Sequence, residues 1–186
     1  MSEVSIKKAI QREYLKCAEN PVHFMRKYCT IQHPKRGKVK FDLYPFQEKC
    51  LTDFKDNRYN IILKARQLGI STLSAGYALW MMLFHNDKNI LVIATGKDTA
   101  KNLVTKVRVM YDGLPQWLKT GTEEINKLSV RFTNGSQIKA IASNESAGRS
   151  EALSLLIIDE AAFIDRIDTI WTAAQQTLST GGGCIA

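Results

Sequence analysis

An α/β domain of three layers, built on a mainly parallel central sheet, is the fold this sequence predicts. Short apolar runs rich in β-branched or aliphatic residues at 61–63, 90–94 and 155–158 have the length and composition of strands covered on both faces. Segments with apolar residues at helical spacing separate them, and strands alternating with helices build parallel sheets with helices on either side. At 186 residues, with an apolar share of 45% and a charged share of 24%, the chain suits one soluble domain with a proper core. We read residues 1–58 as N-terminal helices leading into the core and 59–186 as the core itself, with no internal repeat.

Each element follows from its residues. Ile6, Ala9, Ile10, Tyr14 and Cys17 recur at helical spacing, with Lys7, Lys8, Arg12 and Lys16 largely elsewhere, which predicts an amphipathic first helix with a solvated basic face. Asn20-Pro21 supplies a cap and a first-turn proline for a second short helix through Tyr28. A basic turn at 33–38 precedes an alternating stretch, 39–43, that suits an edge strand. Tyr44-Pro45-Phe46-Gln47 opens a helix through Phe54. The run 61–63 is expected to be the first strongly buried strand, and its helix begins near Ser71 with Leu73, Tyr77, Trp80, Met81 and Phe84 on one face. After the strand 90–94, Asp98 is expected to cap a helix with Ala100, Leu103, Val104, Val107 and Met110 inward. Asn134-Gly135 between 128–133 and 136–141 is a strong hairpin signal, here an insertion in the domain. A last helix is expected from about 168 to 178, and the residues from Gly183 begin another strand.

The charge balance is 26 Lys+Arg against 18 Asp+Glu, a net +8. Such a surplus favours a polyanionic partner such as nucleic acid and fits a merely basic domain equally well. Lys97, Lys101, Lys106, Arg108 and Lys119 could form a phosphate-binding stripe, but a solvated helix face is the simpler reading. Cys17, Cys29, Cys50 and Cys184 are widely spaced and read as reduced thiols of a cytoplasmic protein rather than as a zinc knuckle. No apolar stretch has membrane-spanning length, and the N-terminus has no apolar signal core.

The chemistry begins at Lys64-Ala65-Arg66-Gln67-Leu68-Gly69-Ile70-Ser71-Thr72. A strand turning tightly into a helix aims backbone N–H groups and the positive helix end at one centre, the design of a phosphate-binding loop. Measured against G-x-x-x-x-G-K-[ST], Gly69 and Ser71 hold their positions, Ile70 replaces the lysine, and Lys64 stands first. Gly69 admits close approach of phosphate. Ser71, with Thr72 beside it, can place a hydroxyl on Mg²⁺. Because the loop wraps the phosphates, Lys64 borders the same centre and can deliver its ammonium from the other end. Arg66 is a second cation, suited to charge on the terminal phosphate.

A second motif, Leu155-Leu156-Ile157-Ile158-Asp159-Glu160, places two carboxylates at the carboxyl end of a buried strand, where ligands sit in open α/β folds. Asp159 is then the metal-holding carboxylate and Glu160 the base that orients and deprotonates water. The pair follows the loop in the order a P-loop ATPase of the ASCE type requires. Tyr44 offers a ring to stack on adenine, and Gln47 offers an amide for its polar edge. Arg149, ten positions before Asp159, is a candidate arginine finger, acting on its own or a neighbouring subunit's nucleotide.

Assembled, these residues resemble the ATPase domain of tailed-phage large terminases. The resemblance also draws on Phe24-Met25-Arg26-Lys27-Tyr28, Phe41-Asp42-Leu43-Tyr44-Pro45-Phe46-Gln47, Met110-Tyr111-Asp112-Gly113-Leu114-Pro115-Gln116-Trp117-Leu118 and the continuation Ala161-Ala162-Phe163-Ile164. It implies Mg²⁺-ATP hydrolysis that drives double-stranded DNA through a portal protein into a procapsid, by a ring of subunits working with a small terminase subunit in the host cytoplasm. It implies adenine recognition by Gln47, loop cations at Lys64 and Arg66, a metal ligand at Asp159 and a catalytic carboxylate at Glu160. The family's coupling motif and nuclease domain would follow Ala186, so the resemblance implies a fragment or truncated product. Two rivals remain from the residues: a helicase-like DNA-dependent ATPase, and an inactive nucleotide- or DNA-binding remnant.

Overall fold

The computed structural model describes residues 3–143 and 151–186. Helix α1 (Glu3–Glu19) is followed by α2 (Pro21–Tyr28), which opens as expected: the Asn20 side chain accepts from the His23 N–H at 3.1 Å, and Pro21 occupies the first turn. Along α1 only Cys17 is buried, while Ile6 and Ile10 stay exposed. The anticipated apolar face therefore covers core only at its C-terminal end, where Tyr14 meets the Phe84 ring edge-on. Strands β1 (Thr30–His33) and β2 (Gly37–Lys40) pair antiparallel as a separate hairpin over the basic turn. The first of them was not anticipated, and the second starts earlier than the predicted edge strand.

Helix α3 (Pro45–Asp56) leads to β3 (Tyr59–Asn60), then to the loop and α4 (Ile70–Phe84). Strand β4 (Asn89–Ala94) and α5 (Lys97–Asp112) follow, the latter capped at Gly96 with no side-chain bond, so Asp98 stands in the first turn instead of capping. Next come β5 (Thr122–Ile125), β6 (Ser129–Phe132), β7 (Gln137–Ala142) and β8 (Leu155–Asp159). Helix α6 (Ile167–Thr177) and β9 (Gly183–Ile185) complete the described residues.

Seven of these strands form one sheet in the order β3-β9-β8-β4-β7-β6-β5. From β3 to β7 all neighbours are parallel, and β6 and β5 add an antiparallel margin. The Asn134-Gly135 hairpin is thus built into the main sheet: Gly135 has φ +80°, and β7 runs beside β4. Strand alternation divides the core in two. Ile90, Val92, Leu155 and Ile157 join helices α2 through α5 on one face, whereas Leu91, Ile93, Leu156 and Ile158 meet Ile170 and Ala174 of α6, and Leu178 just after it, on the other. Together they make the expected three-layer α/β fold, with helices on both faces of a mainly parallel sheet.

The predicted buried strand at 61–63 needs correction. Regular pairing stops at Asn60, although Ile62 still donates to the Ala186 carbonyl at 2.8 Å. Ile61 and Leu63 are 90% and 102% exposed. Among the described residues β3 pairs with β9 alone, and no described layer covers Ile61 and Leu63 as an apolar run of this kind signals. Cys17, Cys29 and Cys184 are buried and Cys50 half-buried, all as free thiols. Among the described residues no helix is long and apolar enough to cross a membrane.

Candidate functional site

The parity of β8 decides where the acidic pair goes. Leu155 and Ile157 face the layer that contains α4, so Asp159, two residues further, projects toward the same side. There the Ser71 hydroxyl, in the first turn of α4, donates to Asp159 Oδ1 at 2.7 Å. Residues 88 positions apart in sequence thus meet at the carboxyl end of the sheet. Glu160 follows in left-handed backbone, φ 58°, and its carbonyl accepts from Phe163 N–H as a short turn begins. A glutamate held in that sparsely used region is locally strained, a state that persists where the surroundings over-determine it.

The loop turns through two left-handed residues, Gln67 at φ 64° and Gly69 at φ 72°. A side chain on Gly69 would be strained by that φ and would also stand 3.0 Å from Gln47 Nε2. Gln47 itself is 2% exposed. Its amide oxygen accepts from Tyr44 N–H at 3.1 Å, and its Nε2 donates to the Leu68 carbonyl at 3.0 Å. Gln47 therefore ties the start of α3 to the crest of the loop. Tyr44, by contrast, is exposed and stacks on Phe46, with ring centroids 5.8 Å apart.

Lys64, Arg66, Gln67, Leu68, Gly69, Ile70, Ser71, Thr72 and Glu160 line one cleft of about 430 Å³. Ala65 and Tyr44 are not part of that lining. Arg66 rests over the Phe163 ring at 5.7 Å, a cation–π contact that holds it beside the acidic turn. Ile70, in the place of the usual lysine, is buried and packs into the core. Arg149 lies outside the described residues.

One lining residue escaped its sequence reading. Lys106 of α5 belongs to the same cleft, not to a solvated stripe. Burial lowers its pKa, while the negative charges of Asp159 and Glu160 act in the opposite direction. The signal available in the sequence was its angular position: about 100° per residue sets Lys106 roughly opposite Lys97 on the helix and close to Met110 of the buried face.

Chemically, the site offers a strand–loop–helix with backbone N–H groups, two loop cations, a hydroxyl beside a carboxylate and a second carboxylate next to it. A family model described as terminase large subunit, T4likevirus-type, N-terminal, matches residues 61–183. The chain belongs to this family. Among solved structures, the large terminase of bacteriophage HK97 superposes with a TM-score of 0.70 at 20% identity, over 90% of this chain and 36% of that one. The large terminase ATPase domain of Thermus phage P74-26 gives 0.60 at 19% identity, over 78% of this chain and 64% of that one. The large terminase of another thermophilic bacteriophage, in complex with ADP, gives 0.59 at 16% identity, over 77% of this chain and 38% of that one. This terminase chain thus spans about a third of the HK97 protein's length, and the structural likeness establishes the shared fold.

Proposed function

We propose that this terminase domain binds Mg²⁺-ATP at the cleft formed by 64–72 and hydrolyses it, and that hydrolysis drives double-stranded DNA into a procapsid. The observation that carries the reading is the Ser71–Asp159 pair at 2.7 Å. It sets two hard oxygen donors side by side at a helix N-terminus and the end of a parallel strand, the donor chemistry Mg²⁺ takes. Ser71 and Asp159 are the residues that would hold the ion, Asp159 directly or through water. Bound there, Mg²⁺ would offset the negative charge of the phosphates. The fold supports the same reading, and the terminase of the thermophilic phage has been solved with both ADP and ATP-γ-S.

The chain's own residues then divide the work. Backbone N–H groups of the loop and the first turn of α4 cradle the phosphates. Lys64 supplies the ammonium that Ile70 cannot, and Arg66 leaves Phe163 to meet charge developing on the terminal phosphate. Glu160 takes the proton of the attacking water and aligns it. Gln47 retains one N–H and one lone pair beyond its two bonds, matching the polar edge of adenine, with Tyr44 beside it for stacking. Arg149 is assigned the finger role. Double-stranded DNA, the portal protein, the small terminase subunit and sister subunits in a ring are the partners this role requires, in the host cytoplasm.

Nucleotide titration with a turnover assay tests the site. Lys64→Ala should abolish ATP binding, and Glu160→Gln should bind ATP like the parent while losing hydrolysis by at least about 100-fold, within the worth of a positioned base. Undiminished ATP binding by Lys64→Ala would refute the displaced-lysine reading. A strand-separation assay addresses the helicase-like rival, since a packaging motor moves on duplex DNA without unwinding it.

A further inference from the structure

We propose that Lys106, on α5, is a third phosphate-site cation, directed at the terminal phosphate from outside the loop. This rests on the nucleotide reading above and extends it. Three observations converge. First, Lys106 lines the loop cleft together with Thr72 and Glu160, and it also borders the adjoining hollow with Thr72 and Asn102. It therefore stands at the wall between the first turn of α4 and the acidic turn, the side on which Glu160 meets water. Second, it is half-buried, yet its ammonium makes no hydrogen bond or ion pair with the described residues. A lysine whose stem is packed while its charged head is unpartnered is held ready for a charge that arrives with a ligand.

Third, the charges around the cleft do not favour a polyphosphate without it. Lys64 and Arg66 are offset by Asp159 and Glu160. Lys106 tips that balance to positive. It adds a cation from outside the loop, whose own cations are Lys64 and Arg66 and whose usual lysine position holds the buried Ile70. Other lysines of the anticipated stripe do not share this placement: Lys119 donates to the Asp112 carbonyl at 3.0 Å, and Lys97 is exposed.

The test compares Lys106→Met, which keeps the stem and removes the charge, with Lys106→Arg, Lys64→Ala and the parent. ATP and ADP are titrated separately in the presence of Mg²⁺, and melting temperature is recorded for each protein. Lys106→Met should weaken ATP about tenfold or more, the scale of one lost charge-assisted contact, and ADP by less than about threefold. Lys106→Arg should recover most of the ATP affinity, because a longer cation keeps the charge. Equal loss of ATP and ADP, with a lowered melting temperature, would assign Lys106 to structure and overturn the proposal. Unchanged ATP affinity in Lys106→Met, with binding lost in Lys64→Ala, would overturn the proposal and leave the loop reading standing. If the parent binds neither nucleotide, both fall together.

Discussion

Removing the Gln47 amide should loosen the loop measurably. Gln47→Ala deletes two hydrogen bonds, from Tyr44 N–H and to the Leu68 carbonyl, at a side chain only 2% exposed. Each is worth about 1 kcal/mol net, and the truncated side chain leaves a small void, so a loss of about 2–3 kcal/mol follows. For a domain of this size, about 2–4 °C of melting temperature goes with each kcal/mol. A fall of about 4–12 °C is therefore expected in a calorimetric melt. Gln47→Glu separates the two bonds: the carboxylate can still accept from Tyr44, but it faces the Leu68 carbonyl without a donor. Its melting temperature should fall by at least half as much, and ATP affinity should drop in both variants because Gly69 rests against the amide. If both variants melt within about 1 °C of the parent and bind ATP equally well, Gln47 does not hold the loop.

Three further outcomes are expected. Asp159→Asn should retain some nucleotide binding but lose its dependence on Mg²⁺, which titrations with and without EDTA will read; persistence of the Mg²⁺ effect would remove Asp159 from the metal set. Glu13 accepts from His23, Lys27 and Tyr28 within 3.0 Å, and these bonds, led by Lys27 and then His23, lower its pKa from 4.5 to about 2. Its folded pKa lies below the unfolded one, so its contribution is complete above pH 4.5 and is lost as pH falls toward 2; the Glu13→Gln variant should show a flatter acid limb in melts across that range. Gly182→Ala should destabilise by about 2 kcal/mol or more, since its Cβ would stand 2.1 Å from the Leu153 carbonyl oxygen; a melt equal to the parent's would refute that packing.

Much of the layer order could be read from the residues, because Ile90, Val92, Leu155 and Ile157 sit in strands that are buried on both faces and look it. The first-turn geometry of α2 was equally legible in Asn20-Pro21. Where reading failed, the physical cause is specific. Strand β5, Thr122-Glu123-Glu124-Ile125, is exposed along its whole length, so nothing in its pattern announces a buried face. Among the described residues strand β1 pairs with β2 alone and carries Thr30 and Gln32 among its few residues, too short for alternation to register. Ile61 and Leu63 misled in the opposite sense, since their composition signals two covering layers that the described residues do not supply there. Lys106 was hidden for a different reason: a stripe of cations along a helix reads as one face until the angular offset of each member is worked out. The loop's Gln67 is the converse case, a left-handed residue that no glycine marks.

The position of β9 between β3 and β8 has a consequence for how the site comes into being. Among the described residues the strand before the loop finds its sheet partner in 183–185, far downstream: Tyr59 aligns with Cys184 and Asn60 with Ile185. Pairings of such long sequence separation form late, after the local and central contacts have closed the intervening chain. As the polypeptide leaves the ribosome, β4, β7 and β8 can assemble with α5 while the loop, tied at its crest to Gln47, still lacks the strand that joins β3 to the sheet. Among the described strands the pairing beside the loop is therefore the last to form, with the insertion of β9 between β3 and β8. The strand that follows all the others in the described residues is thus the one that joins β3, and with it the loop, to the rest of the sheet.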